Sequence, residues 1–210
     1  MSKTHFISYI ISFVLLTLLV LKLVTYFQGE NPMKLSIDTK ITQEANDIVF
    51  GNNAAEISII MFGNYKCSHC ISFFKETLPT LVGNKHNKSD VKVVLKLVPL
   101  SEKVNELNVY SDALCIYRYG EYEKFHEMLI YDFNLVNTIE YDDLMQYISQ
   151  QNEAIASCRT NNNNKAYIHA NKEILKELGV KSTPTFIIED RVYKGNKTLK
   201  EFQDILNEVY

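Results

Sequence analysis

Ile57-Ser58-Ile59-Ile60-Met61-Phe62-Gly63-Asn64-Tyr65-Lys66-Cys67-Ser68-His69-Cys70-Ile71-Ser72-Phe73-Phe74 is the stretch whose reading decides the fold. It opens as an apolar run of strand length with little polar alternation, the pattern of a central strand covered on both faces. Gly63-Asn64-Tyr65 breaks the run, and Ile71, Phe73, Phe74, Leu78 and Leu81 then recur at helical spacing. Two cysteines therefore stand at a strand-to-helix junction. Val91 to Val98 alternates and then runs apolar, which predicts a second strand, most simply parallel to the first across the intervening helix. The unit so formed is βαβ.

Cys67 at a helix start faces unpaired backbone N–H groups and the positive end of the helix dipole, both of which favour a thiolate over a thiol. The thiolate is the form that attacks disulfides, so Cys67 is the candidate nucleophile. Cys70, one turn further in, is placed to resolve a mixed disulfide intramolecularly. His69 is expected to offer a hydrogen bond or positive charge to the Cys67 thiolate, which stabilises the reduced form and makes the disulfide more oxidising. Lys66 either adds charge to the rim or is a solvated surface lysine. A zinc site would need a second pair of ligands at close spacing. Cys115 and Cys158 are far apart in the sequence, and His86, His126 and His169 stand alone, so neither metal nor cofactor is expected.

Outward from this core, Ile48-Val49-Phe50 followed by Gly51-Asn52-Asn53 reads as a short strand and turn, and the folded domain is expected from about 44 to 210. Residues 101–178 show helical periodicity at Leu107, Tyr110, Leu114 and Tyr117, then at Leu144, Tyr147 and Ile148, so a helical segment interrupts the sheet. Asn161 to Asn164 reads as a junction in a surface loop, because asparagine competes for backbone hydrogen bonds. Lys165 to Leu178 is a helix stopped by Gly179, strands follow at Thr185 to Ile188 and near Arg191 to Tyr193, and a last helix starts at about Leu199.

Before the domain, Phe6 to Phe27 is apolar apart from Ser8, Ser12, Thr17, Lys22 and Thr25. A bilayer core takes roughly 20 helical residues, so residues 1–27 are read as a membrane anchor, with a cleaved signal peptide as the alternative. No pair of small residues suitable for cleavage follows. Residues 28–43, with Asn31-Pro32, form a polar tether. The 210-residue chain has 46% apolar and 22% charged side chains, which argues for an ordered globular protein. Its 22 basic and 25 acidic groups give a net charge of −3, and the lysines are scattered, so nucleic acid is not expected as a partner. An even cysteine count with one tight and one distant pair fits an oxidising compartment, which places the domain outside the cytoplasm.

Taken together, these residues resemble the DsbA-like branch of the thioredoxin superfamily over roughly Ile48 to Tyr210. The landmarks are Ile48-Val49-Phe50-Gly51-Asn52, Phe62-Gly63-Asn64-Tyr65 before Cys67-Ser68-His69-Cys70, Val98-Pro99-Leu100, and Gly179-Val180-Lys181-Ser182-Thr183-Pro184-Thr185-Phe186. The resemblance implies an α/β thioredoxin-like fold with an inserted helical domain, preceded here by the N-terminal transmembrane helix. It also implies a cis Pro184 lying against the cysteines and a Thr183 that offers backbone groups to a substrate peptide. Some relatives carry a second, non-catalytic disulfide in the helical insertion, and Cys115 and Cys158 are similarly placed; each is otherwise a small core residue. Some relatives have a buried carboxylate six residues before the first cysteine, where this chain has Met61.

The activity so implied is a dithiol oxidase on the periplasmic side of the bacterial inner membrane, with reduced exported proteins as substrates and a membrane partner that reoxidises it. Isomerase or reductase activity is the alternative within the fold. A Cu(I)-binding protein using Cys67, Cys70 and His69 is the alternative outside catalysis.

Overall fold

The computed structural model describes residues 11–22, 32–35, 41–83, 90–101 and 104–210. The chain divides into two compact units, Met1–Met33 and Lys34–Tyr210. In the first, residues 11–22 are helical and present exposed apolar side chains, among them Phe13, Leu15, Leu19 and Leu21. Among the described residues no helix is long and apolar enough to cross a membrane. Residues 6–10 and 23–27 of the expected span lie outside the described residues, as do 28–31 and 36–40 of the expected tether and His86.

The second unit is built on a mixed sheet. The strands of the sheet are β1 (Met33–Lys34), which falls on the boundary between the units, β2 (Ile48–Phe50), β3 (Ile57–Gly63), β4 (Val91–Leu97), β5 (Thr185–Ile188) and β6 (Arg191–Lys194), in the order β1-β6-β5-β3-β4-β2. β3 is central: it pairs parallel with β4, Met61 opposite Leu95, and antiparallel with β5, Met61 opposite Phe186. β2 adds antiparallel to β4, and β6 antiparallel to β5. The helices are α1 (Ser68–Ser72), α2 (Leu78–Gly83), α3 (Val104–Tyr119), α4 (Tyr122–Tyr131), α5 (Ile139–Gln151), α6 (Glu153–Thr160), α7 (Asn163–Glu177) and α8 (Leu199–Val209). Helices α3 to α7 lie between β4 and β5 in the chain and form the helical insertion of a thioredoxin-like α/β fold.

Strand alternation sorts the core into two faces. Ile57, Ile59 and Met61 of β3, Val93, Leu95 and Leu97 of β4 and Phe186 of β5 pack with Phe73, Phe74, Phe202 and the insertion residues Tyr110 and Leu114. Ile60, Phe62, Val94 and Ile187 point the other way, onto Leu175 of α7. Between α1 and α2 the residues Phe73–Thr77 form a widened π turn, closed by Leu78 N–H donating to Phe73 O. Pro79, which has no N–H to donate, follows at once.

Lys96 on β4 departs from the apolar pattern, because its side chain is fully buried. Its Nζ lies 2.9 Å from Asp47 Oδ2, 3.0 Å from Glu44 Oε1 and 3.4 Å from the Tyr167 hydroxyl. Tyr167 also donates to Asp47. Those partners supply what a buried ammonium requires.

The Asn161 to Asn164 run is not a surface loop throughout. Asn161 makes a turn, accepting from Asn163 N–H at 2.9 Å, but Asn163 opens α7 and Asn164 is buried. The Asn164 amide turns inward and donates to Ser111 O, Cys115 Sγ and Cys158 Sγ. Polarity along the chain mispredicted this residue because its partners come from α3 and α6.

Candidate active site

β3 ends at Gly63, where a side chain would force the Met61 side chain to shift. A Cβ there would stand 2.7 Å from Met61 Cε and 3.3 Å from Cys70 Sγ. Asn64 follows, fully buried, and its Oδ1 accepts from both Lys66 N–H and Cys67 N–H at 2.9 Å. This turn of Asx type delivers Cys67 as the N-cap of α1, in extended geometry. Opposite it, the Thr183–Pro184 peptide bond is cis. Cys67 Sγ donates to Thr183 O at 3.2 Å, and Asn64 Nδ2 donates to Thr183 Oγ1 at 3.5 Å. The structure thus brings Cys67, Cys70, Thr183 and Pro184 together.

The two sulfurs are free thiols in unlike settings, Cys67 half-buried and Cys70 wholly buried. Partial burial alone would push the Cys67 thiol up. Hydrogen bonding from the Thr183 side chain, from the backbone and side chain of Cys70 and from the backbone of His69 outweighs it, and the thiol titrates below its ordinary value. Burial drives the Cys70 thiol well above its ordinary value, and the neighbouring Cys67 adds to the rise. When protonated, Cys67 gives its proton to the Thr183 carbonyl. Its sulfur makes no cap hydrogen bond to the first-turn N–H groups in this geometry, although those groups stand where an N-cap side chain reaches.

His69 differs from the expectation. The residue is exposed, and among the described residues no hydrogen bond joins its imidazole to Cys67; its backbone is the last among the influences that lower the Cys67 thiol. At the second position of α1 the N–H faces the N-cap while the side chain projects outward. Lys66 is neither free nor aimed at the sulfurs: its Nζ lies 3.4 Å from Glu106 Oε2. Glu106 is nearly buried and also accepts from Leu100 N–H at 2.7 Å, Ser101 Oγ at 2.7 Å and the Tyr110 hydroxyl at 3.2 Å.

The chain around these residues matches a known family: the thioredoxin family Thioredoxin_4 aligns with residues 43–208. The chain belongs to this thioredoxin family. No curated protein matches it significantly. Among solved structures it is similar to a thioredoxin-like oxidoreductase from Silicibacter pomeroyi DSS-3, at 22% identity and TM-score 0.61, covering 79% of this chain and 93% of that one. It is similar to alpha-DsbA1 from Wolbachia pipientis at 21% identity and TM-score 0.59, covering 81% and 94%. A periplasmic thioredoxin-like protein from Salmonella enterica serovar Typhimurium matches at 17% identity and TM-score 0.57, covering 81% and 98%.

Within the thioredoxin-family domain, Cys115 and Cys158 are joined by a disulfide with Cα atoms 5.7 Å apart, tying α3 to α6. It lies in the insertion, and Cys115 is fully buried. Sequence reasoning missed the roles of Asn64 and Glu106. For Glu106 a signal existed: an acidic residue next to Leu107 and one turn before Tyr110, on a face otherwise read as apolar. A second buried polar cluster adjoins the site, where the Tyr65 hydroxyl meets that of Tyr122 and lies 2.8 Å from His126 Nδ1. Burial pushes His126 down to about 4.

Proposed function

We propose that this thioredoxin-family chain is a thiol-disulfide oxidoreductase acting outside the cytoplasm as a dithiol oxidase, with Cys67 as the exchanging sulfur and Cys70 as its partner. The observation that carries this reading is the asymmetry of the pair: Cys67 half-exposed with a lowered pKa, Cys70 buried with a raised one. In the oxidised form, a substrate thiolate attacks Cys67 Sγ, the accessible sulfur; the Cys67–Cys70 bond breaks and Cys70 takes up a proton. A second substrate thiolate then attacks the substrate sulfur of the mixed disulfide, and Cys67 leaves as a thiolate. Two electrons pass to the motif, and the substrate gains a disulfide. A low leaving-group pKa speeds that last step and favours the reduced enzyme.

Thr183 and Pro184 border Cys67 and form the edge against which an extended substrate peptide lies. The substrates are reduced exported proteins, and a membrane partner returns the motif to its disulfide. Residues 6–27 hold the domain at the inner membrane on its periplasmic side, which the Cys115–Cys158 disulfide supports because such bonds persist in oxidising compartments.

The deciding experiment equilibrates the full chain with glutathione buffers and reads the Cys67–Cys70 redox state by alkylation and mass spectrometry. A potential near about −120 mV supports disulfide donation, and one near about −270 mV makes the protein a reductase.

A further inference from the structure

A groove of about 900 Å³ runs between β2, α2 and α4, with aromatic walls formed by Phe50, Phe74, Tyr117 and Tyr122. The Phe50 and Phe74 rings are 6.2 Å apart between centroids, and Tyr117 meets Tyr122 edge-on at 5.3 Å. Sites that take ligands have volumes of this order. β2 is the last strand of the sheet, but its Val49 N–H is already committed, donating to the Tyr117 hydroxyl at 3.0 Å. An incoming chain therefore cannot extend the sheet at that point, and what enters the groove enters by its side chains.

Two features of the groove lack partners inside the fold. His126 lines it while only 8% exposed; its Nδ1 lies 2.8 Å from the Tyr65 hydroxyl, which also meets that of Tyr122, and among the described residues no hydrogen bond reaches its Nε2. At the rim, Glu123 and Glu127 stand four positions apart on α4, a spacing at which like charges repel, and among the described residues neither forms an ion pair. Lys124 does not relieve them, because it pairs with Glu121. Burial keeps the imidazole neutral. The floor thus offers an uncharged ring nitrogen among aromatic faces, and the rim an excess of negative charge. An ammonium or guanidinium answers both, since a cation is attracted to aromatic faces and bonds strongly to carboxylates.

We infer that this groove is a docking site for a segment of another protein that carries an arginine or lysine between apolar residues: the basic head group is held by Glu123, Glu127 and His126 Nε2, and the flanking apolar side chains pack on the aromatic walls. For the imidazole to accept from the head group, its proton sits on Nδ1 and is donated to the Tyr65 hydroxyl. Tyr65 stands two residues before Cys67, so the docked segment and the turn that carries the sulfur share one hydrogen-bonded wall. The site uses no sulfur and stands whether or not Cys67 exchanges disulfides.

The test titrates the full chain calorimetrically with an acetylated, amidated pentapeptide that has arginine at its centre and leucine or phenylalanine at the other positions. The peptide contains no cysteine, so a failure of the exchange reading leaves the result untouched. It is expected to bind about tenfold more tightly than the same peptide with norleucine at its centre, and the preference should shrink as salt is raised. Glu123→Gln with Glu127→Gln, both exposed on the rim, should remove most of that preference. His126→Phe should weaken the arginine peptide and leave the norleucine peptide bound.

Equal affinities for the two peptides, or a preference that survives in the double glutamine variant, overturns the inference. Binding of benzyltrimethylammonium without binding of the arginine peptide overturns it too, and makes the groove a site for small cations. Should His126→Phe fail to fold, the rim variant decides alone, because its two side chains are exposed and their loss leaves the core intact.

Discussion

At Cys67 burial and hydrogen bonding oppose each other and hydrogen bonding prevails, whereas at Cys70 burial prevails. The imbalance sets the order of events: Cys70→Ser should leave Cys67 reactive but unresolved, so mixed disulfides with substrate proteins accumulate and run as high-mass bands on non-reducing gels. Clean turnover in that variant would sink the assignment. Nearby, His126 gives a pH signature of another kind. Its folded pKa of about 4 lies below the usual His value of about 6.5. The contribution to stability is therefore fully present above pH 6.5 and shrinks as pH falls toward 4, because the unfolded chain binds a proton that the folded one refuses. Between pH 7.5 and 5 the loss should be about 2 kcal/mol, read from urea midpoints. In His126→Phe this part of the pH dependence should vanish.

Among elements, β4 carries the test of the buried charge. Lys96→Met strands Asp47, itself fully buried at its side chain, without its cation. The expected cost is about 3–5 kcal/mol, and Lys96→Met with Asp47→Leu should recover much of it, since removing a whole pair costs less than breaking it. Equal destabilisation of single and double variants in urea melts would refute the pairing. Strands and helices were the legible part of this molecule. Ile57–Gly63 and Val91–Leu97 could be read because apolar runs of strand length flank a helical repeat, and Leu199–Val209 because its apolar stripe follows a clear start. The burial of Lys96 was not legible, since its carboxylate partners Asp47 and Glu44 lie 49 and 52 positions away. For Asn64 only the bond to Thr183, 119 positions away, was out of reach, its partners Lys66 and Cys67 being near in sequence, and Asn164 escaped notice because a run of four asparagines looks like a loop until α3 and α6 are seen closing around it.

For the molecule as a whole, the Cys115–Cys158 bond joins residues 43 positions apart within the insertion. In the chain-entropy account such a closure stabilises by about 4 kcal/mol, so Cys115→Ala with Cys158→Ala should lower the urea midpoint by that equivalent. With those two sulfurs bonded to each other, the chain reduced at Cys67 and Cys70 exposes a single free thiol to solvent, because Cys70 is enclosed. The protein thereby carries its own chemical handle. A mild electrophile attached to a dye or a bead will tag it once per molecule, at the site of its chemistry, without any engineered tag.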